Sequence, residues 1–388
     1  MLKNRLSKSG VFWGHPKIMR YLSKKKGVRF LLYSVDLVLD SFIHKDQRLP
    51  ARIEKILIVN PDHLGDMLLL TSVLPLIKEK YPKAKIDMLC GSWALPVLEN
   101  NPYIENIFII NHSFANRSDT SRAEKLLEYL KTFIVTLWKI RKESYDLGLF
   151  MRSRRGNLAL LALLGNIRFS VGYGTAGCGA FFNRRAEWSP GKHETEHFLE
   201  VLERIDVLPG ARKLKPEIYP LPDDDAILFD LLEPFKEQLT KIAIVHPGAG
   251  SHLKTLKPDI WKRVIENLEA NGYSVYLTGT LQEESLLISI ASPSCVILAG
   301  KLTLSQLMLF FKKATLIVTV DSLSSHLSGM SGTKTIVFHC AMNDSVQWRA
   351  KGDNVTVLEK RCPTLACERG CAAMACMDFD VTVVNKFL

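Results

Sequence analysis

Lys55–Gly91, KILIVNPDHLGDMLLLTSVLPLIKEKYPKAKIDMLCG, decides the fold. Its opening, Lys55–Asn60, is a short run of Ile, Leu and Val, the pattern of a strand buried on both faces. Leu64–Tyr81 carries apolar residues at helical spacing, and Lys85–Cys90 reads as the next strand. Strand, helix and strand in so few residues make a βαβ unit with parallel strands. In open parallel sheets, ligands bind outside the carboxyl ends of the strands. Asp62, His63, Gly65 and Asp66 fall there. Two roles are open to Asp62 and Asp66: capping the helix N-terminus through their acceptor oxygens, or presenting a carboxylate to a crevice.

The alternation continues on both sides of that unit. Strand patterns recur at Asn106–Asn111 and Tyr145–Met151, with a helix between Ser121 and Lys142. A glycine-rich stretch, Ser170–Phe182 (SVGYGTAGCGAFF), is flanked by Arg168 and by Arg184-Arg185. Leu208–Asp225 holds Pro209, Pro216, Pro220 and Pro222 and reads as an interdomain linker. Beyond it, strands are predicted at Lys241–His246, Ser274–Thr278, Val296–Ala299, Leu316–Val320 and Thr335–His339. Helices fall between them at Pro258–Asn271, Glu283–Ala291, Leu304–Lys313 and from Ser324. Repeated strand–helix order forces helical crossovers onto the faces of parallel sheets. The chain of 388 residues is long for one core. We therefore expect an α/β protein of two domains, 51–220 and 221–388, behind an extension at 1–50.

Hydrophobic residues make up 47% and charged residues 23%, the balance of an ordinary soluble globular protein and not of a disordered chain. The formal charge of +11 is uneven, because residues 1–50 hold eleven Lys or Arg against Asp36, Asp40 and Asp46. That leaves only +3 for the rest, which argues against a nucleic-acid partner. Within the extension Val28, Leu31, Leu32, Val35, Val38, Leu39, Phe42 and Ile43 recur at helical spacing, opposite Arg29, Tyr33, Asp36 and Asp40. Those aspartates interrupt the apolar run and no small-residue cleavage site follows, so neither a signal peptide nor a spanning helix is expected. The stripe either packs on the body of the protein or lies on an anionic membrane surface.

Three further stretches carry chemistry. Val245–Trp261, VHPGAGSHLKTLKPDIW, runs from a strand into a glycine-containing loop with Gly248, Lys254 and Lys257 ahead of a helix. It reads as a phosphate cradle or as a solvated loop. Thr319–Gly332, TVDSLSSHLSGMSG, sets Asp321 at a strand end. Ser322, Ser324 and Ser325 follow at a helix start, with His326 in its first turn, so the serines cap the helix or its free N–H groups hold an anion. Arg152, Arg154 and Arg155 follow a strand and either face an anionic ligand or are solvated. Cys362, Cys367, Cys371 and Cys376, spaced C-x4-C-x3-C-x4-C, depart from the C-x2-C zinc pattern. Reduced thiols are expected over a metal site or disulfides.

Taken in order, these segments resemble the heptosyltransferase-type glycosyltransferases, glycosyltransferase family 9, over roughly residues 53–385. The matching residues are Lys55–Leu89, GYGTAG with FFN and the following KHETEHFLEVL, the HPGAG loop with Lys254, LTGT at 277–280 and DSLSSHL at 321–327. The resemblance implies a GT-B architecture of two facing Rossmann-like domains, the first for acceptor and the second for donor. It implies an inverting, metal-independent transfer, without cofactor, from a nucleotide-sugar donor (ADP-heptose or similar) to a lipopolysaccharide-core or other lipid-linked glycan acceptor. By position Asp66 matches the general base and Lys254 the residue facing the donor diphosphate. Asp321 matches a donor-sugar contact, and Ser322, Ser324 and Ser325 the phosphate-binding helix start, with His326 beside them. Gly248 belongs to the donor loop and Glu283 matches a ribose contact. His63, Arg152, Arg154 and Arg155 line the acceptor side. The implied location is cytoplasmic, with peripheral contact at the inner face of the membrane. Asp321-Ser322-Leu323 replaces the usual Asp-Ser/Thr-Gly, and Lys254-Thr255-Leu256-Lys257 replaces Lys-Arg-Trp-Pro, which leaves the donor sugar open. Two rival classes share the architecture: a nucleotide-sugar epimerase, which needs no acceptor, and a binding protein without turnover.

Overall fold

The computed structural model describes residues 21–23, 25–154, 156–238, 241–362, 371 and 374–387. The first twenty residues of the extension, Arg155 and Cys367 lie outside them. The N-terminal half runs α1 (Lys26–Phe42), β1 (Lys55–Val59), α2 (Leu64–Thr71), α3 (Leu74–Lys80), β2 (Lys85–Cys90), β3 (Asn106–Ile109), α4 (Arg122–Glu143), β4 (Leu147–Phe150), α5 (Ala159–Leu164), β5 (Phe169–Tyr173), β6 (Arg184–Ala186) and α6 (Glu194–Leu202). After a 3-10 turn at Glu203–Ile205 and a connection without further helix or strand come α7 (Asp224–Leu232), β7 (Ile242–His246), α8 (Pro258–Ala270), β8 (Ser274–Gly279), α9 (Glu284–Ile290), β9 (Val296–Ala299), α10 (Leu304–Lys313), β10 (Leu316–Val320), α11 (Leu323–Ser331), β11 (Lys334–His339), α12 (Ser345–Trp348) and β12 (Val355–Glu359).

Both sheets are six-stranded and parallel, ordered β3-β2-β1-β4-β5-β6 and β12-β11-β10-β7-β8-β9. These are two copies of one strand order. In each the order reverses between its first and fourth strands, opening a crevice at the carboxyl ends of β1 and β4 and of β7 and β10. Alternate residues of β1 serve two cores, Ile56 and Ile58 on one face and Leu57 and Val59 on the other. The first core continues through the domain junction to Ile242, Ile244 and Phe310, and α2 packs against α11. One apolar core thus holds the two halves face to face.

Strands β6 and β12 were not expected, α7 begins within the predicted linker, and three further elements differ from the sequence reading. The helix expected over Leu64–Tyr81 is two, because Pro75 near the start of α3 has no N–H to give the preceding turn. The glycine-rich stretch contains β5, where a Cβ at Gly172 would come within 2.6 Å of Phe182 and 2.8 Å of Phe150. Only glycine lets those rings meet over the strand.

The third is α1, which docks with its acidic side inward. Buried Asp36 accepts hydrogen bonds from the Tyr21 hydroxyl and the Cys178 N–H, both at 2.7 Å, and Asp40 pairs with Arg185. The apolar stripe is split. Leu32, Leu39 and Ile43 pack inward, while Val28, Leu31, Val35, Val38 and Phe42 face outward. Among the described residues no helix is long and apolar enough to cross a membrane.

Candidate active site

The crevice of the first sheet is built around Arg152, which follows β4. Its Nε lies 2.6 Å from Asp62 Oδ2, and its Nη1 lies 2.7 Å from Asp66 Oδ1 and 2.9 Å from Glu194 Oε1. All four side chains are largely buried. A planar guanidinium suits this arrangement, since its fixed fork offers several donors at once. Burial works against its charge, yet the three carboxylates more than offset that, and its pKa stands above the ordinary arginine value. His63 takes the N-cap position of α2, and no side-chain hydrogen bond caps it. Asp62 Oδ1 accepts from the His63 N–H at 3.0 Å, while Trp93 Nε1 donates to the Asp62 carbonyl at 2.7 Å. Of the arginines predicted to face an anionic ligand, Arg154 is exposed, whereas Arg152 is turned inward onto carboxylates.

Across the junction, Lys254 Nζ lies 3.0 Å from Asp321 Oδ2, which also accepts from Asn343 Nδ2 at 2.7 Å. Ser322 is the N-cap of α11 but makes no capping hydrogen bond. Its hydroxyl instead meets Ser324 Oγ at 2.7 Å, Ser324 Oγ meets Thr319 Oγ1 at 2.5 Å, and Ser325 Oγ donates to the Ser322 carbonyl at 2.8 Å. The serines thus bond to one another and leave the helix start uncapped by side chains, the condition in which a helix N-terminus attracts an anion. Glu283 accepts the Thr280 N–H at 2.8 Å in a capping box and lies against Gly248, where a Cβ would come within 2.0 Å of its carboxylate.

Several contacts join the two halves. His326 of α11 lies over Gly65, and burial pushes its pKa down to about 4, with Asp321 opposing and Lys254 assisting. Glu194 Oε2 accepts from Gln347 Nε2 at 2.6 Å, and Trp348 lies beneath the Arg152 guanidinium, 5.8 Å from ring centre to Cζ. His193 Nε2 meets the Arg349 carbonyl at 3.0 Å, and burial lowers this imidazole to about 3. Arg117 reaches from the β3–α4 loop to Gly250 of the β7–α8 loop. Glu194, Gln347, His193, Asn343 and Arg117 were not singled out by the sequence reading. His193 and Glu196 form a capping box, a local signal within KHETEHF, but nothing local marks Gln347 as Glu194's partner.

In the tail, buried Cys376 sits with its Sγ 3.9 Å from Cys340 Sγ, beyond disulfide length, and burial pushes the Cys340 thiol up to about 12. Cys376 therefore has a core partner from outside the cysteine run.

With this geometry in view, the profile of glycosyltransferase family 9 (heptosyltransferase) matches residues 135–376. The chain belongs to glycosyltransferase family 9. It is a glycosyltransferase, as the resemblance implied. The family match begins within α4, so Asp66 lies ahead of it. Lipopolysaccharide heptosyltransferase 3 of Escherichia coli strain K12 is 27% identical over 309 residues, 75% of this chain and 83% of its own length. A family 9 glycosyltransferase from Veillonella parvula superposes with a TM-score of 0.72 at 15% identity, covering 89% of this chain and 97% of that one. Escherichia coli heptosyltransferase WaaC, solved with ADP-2-deoxy-2-fluoro heptose, gives 0.59 at 17% identity over 86% and 98%. At such identities the structural likeness is one of fold, and that fold is GT-B.

Proposed function

We propose that this enzyme transfers heptose or a similar sugar from an ADP-sugar to a hydroxyl of a lipopolysaccharide-core or other lipid-linked glycan, inverting the anomeric centre. The observation that carries the reading is the meeting of two half-sites: the Asp66 carboxylate at the end of β1, and Lys254 with the α11 N-terminus across the junction, joined where His326 covers Gly65. The names of the relatives support the donor and acceptor class.

In this mechanism Asp66 accepts the acceptor hydroxyl's proton as its oxygen bonds to the anomeric carbon. The bond from that carbon to the diphosphate breaks on the opposite face, so one displacement inverts the centre. Charge growing on the departing ADP meets the Lys254 ammonium and the N–H groups of α11. Lys254 then exchanges its Asp321 contact for phosphate. These fixed positive groups supply the stabilisation for which a divalent ion is otherwise used, so turnover should persist in a chelator. Asp66→Asn tests the base: we expect turnover to fall on the order of 10²–10⁴-fold with ADP affinity unchanged. Near-normal turnover would leave Asp66 a structural carboxylate.

A further inference from the structure

The helices α1, α5 and α4 cover one face of the first sheet in that order, and α1 is mounted in an unusual way. Leu39 and Ile43 of α1, Leu160 of α5, and Phe133 and Leu137 of α4 all pack on the same core. On their outer sides, Phe30, Leu31 and Phe42 of α1 and Leu127, Ile134 and Trp138 of α4 stand 60% or more exposed. Leu163 and Leu164 of α5 add to the surface between them. A helix docked on a water-facing body turns its apolar side inward. Here α1 does so only in part: it buries Asp36, pairs Asp40 with Arg185 and leaves most of its apolar residues outward.

Charge on this surface is predominantly positive. On α4, Glu128 is bonded to the Asn111 and Asn116 side chains and Glu143 to Lys55, so only Glu124, in the first-turn capping box, remains on the outer side. Lys25, Lys26, Lys131, Lys139, Arg141 and Lys142 are exposed around the apolar residues. The Lys142 ammonium lies 3.2 Å from the Trp138 ring centre, a cation standing on an aromatic ring as at a lipid–water boundary. Apolar residues flanked by lysine and arginine, with Glu128 and Glu143 engaged elsewhere, complement an anionic bilayer surface. Both helices also begin at the carboxyl edge of the sheet: Leu22 N–H bonds to the Thr175 carbonyl there, and Ser121 follows the end of β3. The surface therefore runs up to the mouth of the crevice that holds Asp66.

We propose that the outer face of α1, α5 and α4 seats the enzyme on an anionic membrane, with the crevice opening beside the lipid. This deepens the reading of a lipid-linked acceptor and rests on it only for its purpose, since vesicle binding is measured without turnover. The test compares the full chain with a Leu31→Gln, Phe42→Gln, Ile134→Gln variant, leaving the basic first twenty residues intact. Both are sedimented with phosphatidylcholine vesicles and with vesicles of phosphatidylcholine and phosphatidylglycerol. We expect the wild type to bind the anionic vesicles in a salt-sensitive way, and the variant to bind on the order of tenfold less tightly. Transfer to a soluble acceptor fragment should be alike in the two. A fluorescence blue shift on adding anionic vesicles should be lost in Trp138→Phe. Equal vesicle binding by variant and wild type would overturn the proposal, as would wild-type indifference to anionic lipid. If sedimentation equilibrium instead shows a wild-type dimer that the variant abolishes, with vesicle binding unchanged, the face joins two copies of the chain and the proposal fails. Loss of soluble transfer in both proteins alongside intact vesicle binding would count against the assigned chemistry alone.

Discussion

Arg152 holds three buried carboxylates with a single positive charge, which makes it the most consequential residue of the crevice. Removing that charge outright would leave them uncompensated, a change that typically costs 3–5 kcal/mol. Arg152→Lys is the gentler probe, keeping the charge but losing the fork. A cation in contact lowers a carboxylate's pKa, so loosening the contact lets it rise. If Asp66 is the base, the acid limb of kcat/KM should move to higher pH in Arg152→Lys, with ADP binding preserved. An unmoved limb would mean that Arg152 does not tune the base. If Lys254 faces the donor diphosphate as proposed, Lys254→Ala should weaken ADP binding far more than adenosine binding, since only the diphosphate presents a charge for it to meet. Equal losses would point to disturbed packing. Gly65-Asp66 and Lys254 were legible because each follows a strand whose apolar run is unmistakable. Arg152 was legible as a basic residue at a strand end, but its partners were not, since Asp66 and Glu194 are 86 and 42 residues away along the chain.

At the scale of elements, α6 and α11 each bring a buried histidine to the domain junction. His193 starts α6 and His326 lies in the first turns of α11, and burial holds them neutral, with pKa values near 3 and 4. In the unfolded chain both protonate near 6.5. Between those values the unfolded state binds more protons, so the stability they contribute is complete above about pH 6.5 and is lost as pH falls toward 4. Thermal unfolding should therefore move to lower temperature from pH 7 to pH 5. His193→Gln, which keeps a polar group near the Arg349 carbonyl, should flatten that dependence. A slope unchanged in the variant would mean that His193 accepts a proton within the junction.

At the scale of the whole molecule, α1 belongs to the catalytic body as well as to the extension. Deleting residues 1–44 would strip Asp36 from the Cys178 N–H and Asp40 from Arg185 and uncover Phe181 and Phe182. Calorimetry should then show a Tm lower by on the order of 5 °C, whereas deleting only residues 1–20 leaves those contacts in place. Similar melting of both truncations would show that α1 adds nothing to the fold.

The amino-acid sequence by itself determined most of the alternation of strand and helix and the turns that carry Asp66, Lys254 and Asp321, because apolar periodicity and turn chemistry act within a few residues. Periodicity also marked the two sides of α1, but not which would be covered. That was decided by Tyr21, Cys178 and Arg185, whose donors reach Asp36 and Asp40 only once the sheet is assembled. The inward turn of Arg152, the Glu194–Gln347 bond across 153 residues, and His326 over Gly65 likewise required both sheets to close on a shared core. A buried charge or polar group must find a partner wherever the chain brings one, and that is a property of the folded molecule.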